Sequence, residues 1–228
     1  MPCWASACSQ PDAGSQVREA ANEGSNVVLL SKSEAVPDAG RVLPAALTKT
    51  VIDCPSDRLI PSSKLIDEIS LDGFSELLLA AGEAPLVSYV PAHDAEHGLA
   101  LRFIWLPAFD KPIIVRIVTA GDGTAELIAK RLNLLSRSRE SHKLEEEISR
   151  PLTRQELHGV AKLLKTSELL EQESGSCDWG LDGSSWIIEA IDREGYRFID
   201  RFYPQEGPVR EVGLALLDLT GWQFEEVY

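Results

Sequence analysis

Residues able to do chemistry are few in this chain and lie far apart. His93-Asp94-Ala95-Glu96-His97 places two imidazoles four positions apart with two carboxylates between them. On a helix, positions i and i+4 share a face, so such a group would be able to ligate a metal. Pro91 and Gly98 bracket it, so a loop is expected. The order also differs from H-E-x-x-H, which would set a general-base Glu beside the first His. The stretch reads as a solvated polar loop, and no metal is expected. His142 falls in a charged connection, and His158 lies one step beyond the apolar stripe of its helix. Gly183-Ser184-Ser185-Trp186 lacks the second glycine of the G-x-S-x-G nucleophile turn. Gly121-Asp122-Gly123 lacks the Lys-Ser/Thr and following helix of a phosphate loop. The four cysteines form no C-x-x-C pair, so zinc is not expected either. No catalytic residue and no cofactor stand out, and the reading leans away from an enzyme.

The remaining polar candidates gather near the C-terminal third. Asp182, Glu189, Asp200 and Arg201 stand among Trp179, Trp186, Tyr196 and Tyr203. On adjacent strands Glu189 and Arg201 pair across the hairpin if the register allows. One reading is a carboxylate–arginine site walled by aromatics, with Trp179, Asp182, Trp186, Glu189 and Arg201 holding a small polar ligand or a partner's side chains. The other is a cross-strand ion pair with aromatic packing, which is routine in sheets.

The elements that would position these residues follow from periodicity. In residues 184–191, Trp186, Ile188 and Ala190 alternate with Ile187, Glu189 and Ile191, the period of two of a strand. A turn at Asp192-Arg193-Glu194-Gly195 leads to a second strand over 196–203, ended by Pro204. Pro208 opens a helix with Val209, Val212, Leu216 and Leu219 on one stripe, widened by Ala215. Upstream, residues 99–106, 112–119 and 124–131 read as three strands, the last two joined by a tight Gly121-Asp122-Gly123 turn. Thr153-Arg154-Gln155-Glu156 is a capping box opening a helix that ends near Leu170. Residues 136–150, dense in charge, read as an exposed connection. A helix is expected to start at Ser62 or Ser63 and to break at Asp72-Gly73, with a second helical run over 74–81 and a short strand over 86–90. Meander, helix, hairpin and helix without βαβ alternation give an α+β fold: an antiparallel sheet of about five strands with helices packed on one face. The N-terminal segment is expected to cover part of the other face.

Asp182-Gly183, Trp186-Ile187-Ile188-Glu189, Gly195-Tyr196, Asp200-Arg201-Phe202-Tyr203-Pro204 and Gly207-Pro208 together form a pattern. It resembles a domain family of uncharacterised bacterial proteins, often found in envelope lipoproteins. Residues 101–109 and Pro151-Leu152-Thr153 are similar to that group as well, so the resemblance covers roughly residues 99–222. It implies an architecture and no activity.

At the N-terminus, Ala5-Ser6-Ala7-Cys8 resembles the end of a bacterial lipoprotein signal, in which small residues precede the cysteine that receives the lipid. The basic and apolar regions of such a signal are not found ahead of Cys8. Either the true start lies further upstream, or this is an ordinary tail with a stray cysteine. Residues 1–48, rich in Ser, Ala, Gly, Pro and acids, are expected to form a disordered tail or lipoprotein tether, apart from the apolar Val27 to Leu30, and residues 49–228 a single domain. With Cys8 lipidated, Cys54 and Cys177 remain as a pair able to form a disulfide in an oxidising compartment. The net charge of −14 argues against a nucleic-acid partner and against an anionic membrane surface, and permits a basic protein partner. Any membrane association would run through a lipid on Cys8. The sequence therefore suggests a non-enzymatic interaction module of the bacterial cell envelope, lipid-anchored in the periplasm. The alternative is an acidic inhibitor or immunity-type protein that binds a basic toxin or hydrolase, which with an unmodified N-terminus would be cytoplasmic.

Overall fold

The computed structural model describes residues 26–54, 62–89, 98–133, 142–178, 180 and 182–228. Its centre is an antiparallel sheet of seven strands: β1 (Leu29–Leu30), β4 (Ala100–Pro107), β5 (Ile113–Thr119), β6 (Ala125–Leu132), β7 (Leu144–Pro151), β8 (Ser184–Ile191) and β9 (Tyr196–Phe202). They lie in the order β1-β9-β8-β4-β5-β6-β7, so the late hairpin sits against the first strand of the meander. A separate two-stranded ribbon joins β2 (Val51–Asp53) to β3 (Ser62–Lys64). The helices are α1 (Glu68–Ala80), α2 (Arg154–Thr166) and α3 (Pro208–Leu219).

The α+β class is as expected, but the sheet has seven strands rather than about five, and helices cover both faces. Alternation along the strands sorts the apolar residues into two cores. One face carries Phe103, Trp105, Val115, Trp186 and Ile188, closed by Val160 and Leu164 of α2 and Val212 and Leu216 of α3. The opposite face carries Ile104, Ile114, Ile187, Ile191 and Phe198, closed by Leu71 and Leu78 of α1 and by the N-terminal segment.

Part of the expected tail belongs to this second core. Val28, Ala35, Val42, Leu43 and Leu47 are buried, so the packed body begins well before the expected boundary at 48/49. Residues 26–48 mix polar and apolar side chains, and these five recur often enough to seat the segment on the sheet. Ser174 fixes it from the other side. Its hydroxyl accepts from Val28 N at 2.7 Å, its N–H donates to Asn26 O at 2.9 Å, and its carbonyl accepts from Asp200 N at 2.7 Å.

Four local readings are corrected. Residues 62–64 pair with 51–53 as a strand, and α1 starts later, where the Asp67 side chain accepts from Ser70 N at 2.8 Å. This helix runs through Gly73, whose exposed position makes it a propensity cost of about 1 kcal/mol rather than a break. Residues 86–89 form a 3-10 turn, not a strand. Residues 144–151, read as a connection, are the edge strand β7. An edge strand is paired on one side only, so a run such as Leu-Glu-Glu-Glu faces water without penalty. The capping box is present, with the Thr153 hydroxyl accepting from Glu156 N and the Glu156 carboxylate accepting from Thr153 N. Arg150, the Thr153 amide and the Thr153 hydroxyl hold the Glu156 carboxyl down at about 2.

Candidate functional site

Strand register places two rows of side chains back to back across the sheet. On the N-terminal face the row runs Phe198, Glu189, Arg102, Arg116 and Ile128 from β9 to β6. On the helical face, a row nearer one end of the strands runs Arg201, Trp186, Trp105, Ile113, Arg131 and Glu146 from β9 to β7.

The first row holds a buried charge network. Arg102, with no exposed side-chain surface, donates from Nε to Glu189 Oε2 at 2.6 Å. Its Nη2 stands 2.5 Å from the same oxygen as a charge contact, without hydrogen-bond alignment. Its Nη1 reaches Ala84 O at 2.9 Å and Glu83 Oε2 at 3.3 Å. Glu83, also fully buried, receives Arg116 Nε at 2.9 Å and Lys130 Nζ at 2.8 Å. Lys130 Nζ further donates to Ala81 O at 2.7 Å, tying down the end of α1. The Tyr196 hydroxyl donates to Glu189 Oε1 at 2.9 Å.

Three cations therefore share two carboxylates. Burial alone would raise the Glu83 carboxyl, but Arg102 and Arg116 outweigh it and hold the group below its usual range. Burial would likewise lower Arg102, and Glu189 and then Glu83 reverse this, leaving it firmly charged. Burial, then the charge of Glu189, raises the Tyr196 phenol well above normal, so it remains a donor. Every member is closed in by protein, and the network acts to pin residues 81–89 onto the sheet.

The expected pairing of Glu189 with Arg201 does not form. Glu189 stands opposite Phe198 and Arg201 opposite Trp186, on the other face. Trp186 and Tyr196, two of the aromatics grouped with those polar candidates, are buried in the two cores. Asp182 is exposed, and Trp179 lies outside the described residues. Arg201 donates to Asp200 O at 2.8 Å and Glu173 O at 2.7 Å, bracing the loop ahead of β8. The five residues thus do not converge. Asp200 is a separate feature: burial pushes its carboxyl up to about 6 against the pull of Arg201, and Oδ1 has no hydrogen-bond partner.

Cys54 and Cys177 form a disulfide, their Cα atoms 5.7 Å apart across a sequence separation of 123. It ties the end of β2 to the loop preceding β8. Cys8, His93 and His97 lie outside the described residues. Among the described residues, no three His, Cys, Asp or Glu gather as a metal-holding group, and no helix is long and apolar enough to cross a membrane.

Trp105, Ile113 and Arg131 of the second row floor a cleft of about 520 Å³ that the sequence reading missed. After α3 the chain turns back over the sheet. The Tyr228 backbone oxygen accepts from Trp105 Nε1 at 3.0 Å and Trp186 Nε1 at 3.1 Å, and from the Ser184 hydroxyl. Arg210 holds Val227 O at 3.0 Å. The rings of Phe224 and Tyr228 stand edge-on to Trp105 at 5.6 and 6.1 Å. The closing residues thereby become one wall, facing Phe109, Asp110 and Lys111 of the β4–β5 turn. The available signal was the aromatic pair Phe224 and Tyr228 following a helix that had already ended.

Neither a scan against protein-family models nor a search of curated proteins finds a match to the chain.

Proposed function

We propose that the protein is a non-enzymatic binding module of the bacterial cell envelope, tethered by lipid at Cys8. The Cys54–Cys177 disulfide carries this reading. Such bonds persist in oxidising compartments and are rare where thiols are kept reduced. Glu83, Arg102, Arg116, Lys130 and Glu189, the charged groups gathered inside the fold, are closed in by protein and hold the structure together, which supports binding over catalysis. The resemblance of residues 99–222 to domains of envelope lipoproteins points the same way.

The test is the intact mass of the protein expressed from its native locus, before and after reduction, together with membrane fractionation. A diacyl or triacyl mass on Cys8, a two-proton gain on reduction and recovery with membranes are expected. A soluble, unlipidated chain with free thiols at 54 and 177 would overturn the proposal.

The acidic inhibitor or immunity-type reading is favoured by one observation, the net charge of −14. A salt-sensitive complex with a purified basic toxin or hydrolase would establish it.

A further inference from the structure

We infer that the cleft between the closing segment and the β4–β5 turn receives an arginine side chain of a basic protein partner. This rests on the binding-module reading and names the chemistry that its partner presents.

The cleft's size suits a side chain with its flanking backbone: about 520 Å³ lies within the range of ligand pockets. Its walls include Phe109, Phe224 and Tyr228, with Trp105 at the floor. Phe109 is 69 % exposed, a large apolar ring left in water at the rim.

The lining charges decide the sign of the guest. Two cations and three carboxylates line the cleft. Both cations are already matched by carboxylates outside it: Lys111 Nζ lies 2.5 Å from Glu145, and Arg131 lies 3.1 Å from Glu146. Asp110, Glu225 and Glu226 form no ion pair among the described residues, and Glu225 and Glu226 are exposed. A cation entering the cleft meets carboxylates that no internal charge has claimed. The chain's net charge of −14 would steer a basic partner toward it.

Aromatic walls select arginine over lysine, because a planar guanidinium stacks on a ring while its edge hydrogen-bonds a carboxylate. The protein makes that arrangement itself beside the same cleft. The Arg131 guanidinium lies 4.3 Å from the Trp222 ring centre while pairing with Glu146.

The experiment titrates the purified full chain with the peptide acetyl-Gly-Gly-Arg-Gly-Gly-amide and follows amide and indole resonances by NMR. The same peptide with citrulline, a neutral isostere, is the control. Saturable shifts at Phe109, Asp110, Phe224 and the Trp105 indole are expected with arginine and not with citrulline. E225Q/E226Q is expected to weaken binding about five- to ten-fold, the loss of one charge-assisted contact. E76Q/E211Q, which removes equal charge elsewhere, is expected to leave binding unchanged. Equal response to citrulline, equal weakening by both double variants, or no saturable shift would overturn the inference. Purified protein reports on the cleft whatever its compartment. A cleft that binds nothing in a lipidated, disulfide-bonded protein sinks this inference alone, whereas binding by a chain found reduced and soluble sinks only the envelope reading.

Discussion

Arg102 on β4 and Glu189 on β8 stand directly opposite each other and form an ion pair with neither side chain exposed. Such a pair gains little over apolar packing, because desolvating both charges offsets their attraction, but removing one partner strands the other. The consequence is sharpest at Glu83, where one carboxylate faces Arg102, Arg116 and Lys130. Glu83→Gln should cost about 3–5 kcal/mol in urea unfolding. Adding Arg116→Met to that variant should recover part of the loss. An E83Q protein as stable as its parent would mean that the network does not hold residues 81–89.

Asp200 predicts an unusual pH dependence. Burial raises its carboxyl to about 6 in the fold from an ordinary 3.8, so the folded state binds the proton more tightly. The associated stability is complete below about pH 4 and is lost as pH rises through about 6, by about 1–3 kcal/mol. Glu83 acts with the opposite sign: its lowered carboxyl contributes above its unfolded value and is lost as pH falls through its folded one. Asp200→Asn should abolish the decline between pH 4 and 6 while leaving acid unfolding in place. Parallel pH–stability curves for D200N and parent would refute the assignment.

Gly213 faces Trp186 from α3. A Cβ there would lie 2.5 Å from Trp186 Cζ3 and 2.9 Å from Phe103 Cζ. Both rings are fully buried and neither can yield cheaply, so Gly213→Ala should destabilise by about 1–3 kcal/mol although alanine favours helix. Thermal melts of G213A beside Gly159→Ala, whose added Cβ meets nothing within 4 Å, separate packing from propensity. G213A must fall and G159A must not.

Gly213 also shows where reading the sequence stops. The stripe of α3 was visible as Val209, Val212 and Leu216, because a period near 3.6 needs only residue type. That Gly213 belongs to the buried face, and Ala215 only partly, depends on which ring sits opposite. The two faces of β8 were likewise legible from alternation, and the capping box from four residues. Glu189 and Arg201 were misjudged because the turn at 192–195 sets Glu189 against Phe198 and turns Arg201 to the other face; the partner Glu189 does take, Arg102, lies on β4, and no local pattern fixes register between strands over 80 residues apart. The edge strand β7 was hidden because its polarity resembles that of a loop.

Opening the Cys54–Cys177 bond frees a loop with a sequence separation of 123. Reduction, or Cys54→Ser with Cys177→Ser, should therefore lower stability by about 2–5 kcal/mol. Hydrogen exchange should rise first in residues 26–54, which the bond fastens at their far end, while β4–β6 remain protected. Uniform loosening of the whole sheet would show that the bond is not local in effect.

The seating of Val28 on Ser174 and of Leu29 on Arg197 has a consequence in time. The partners of the earliest packed residues are made late, with α3 still to follow. At about 5–20 residues per second, roughly 150 residues separate the two events, or on the order of 10–30 s of synthesis. Until that interval ends the apolar side chains of residues 28–47 lack β8 and β9, which carry Ile187, Ile191 and Phe198 of the core they join. A newborn chain in this state presents them to whatever is near, so the interval marks when a chaperone would be needed and when misassembly between neighbouring nascent chains would begin.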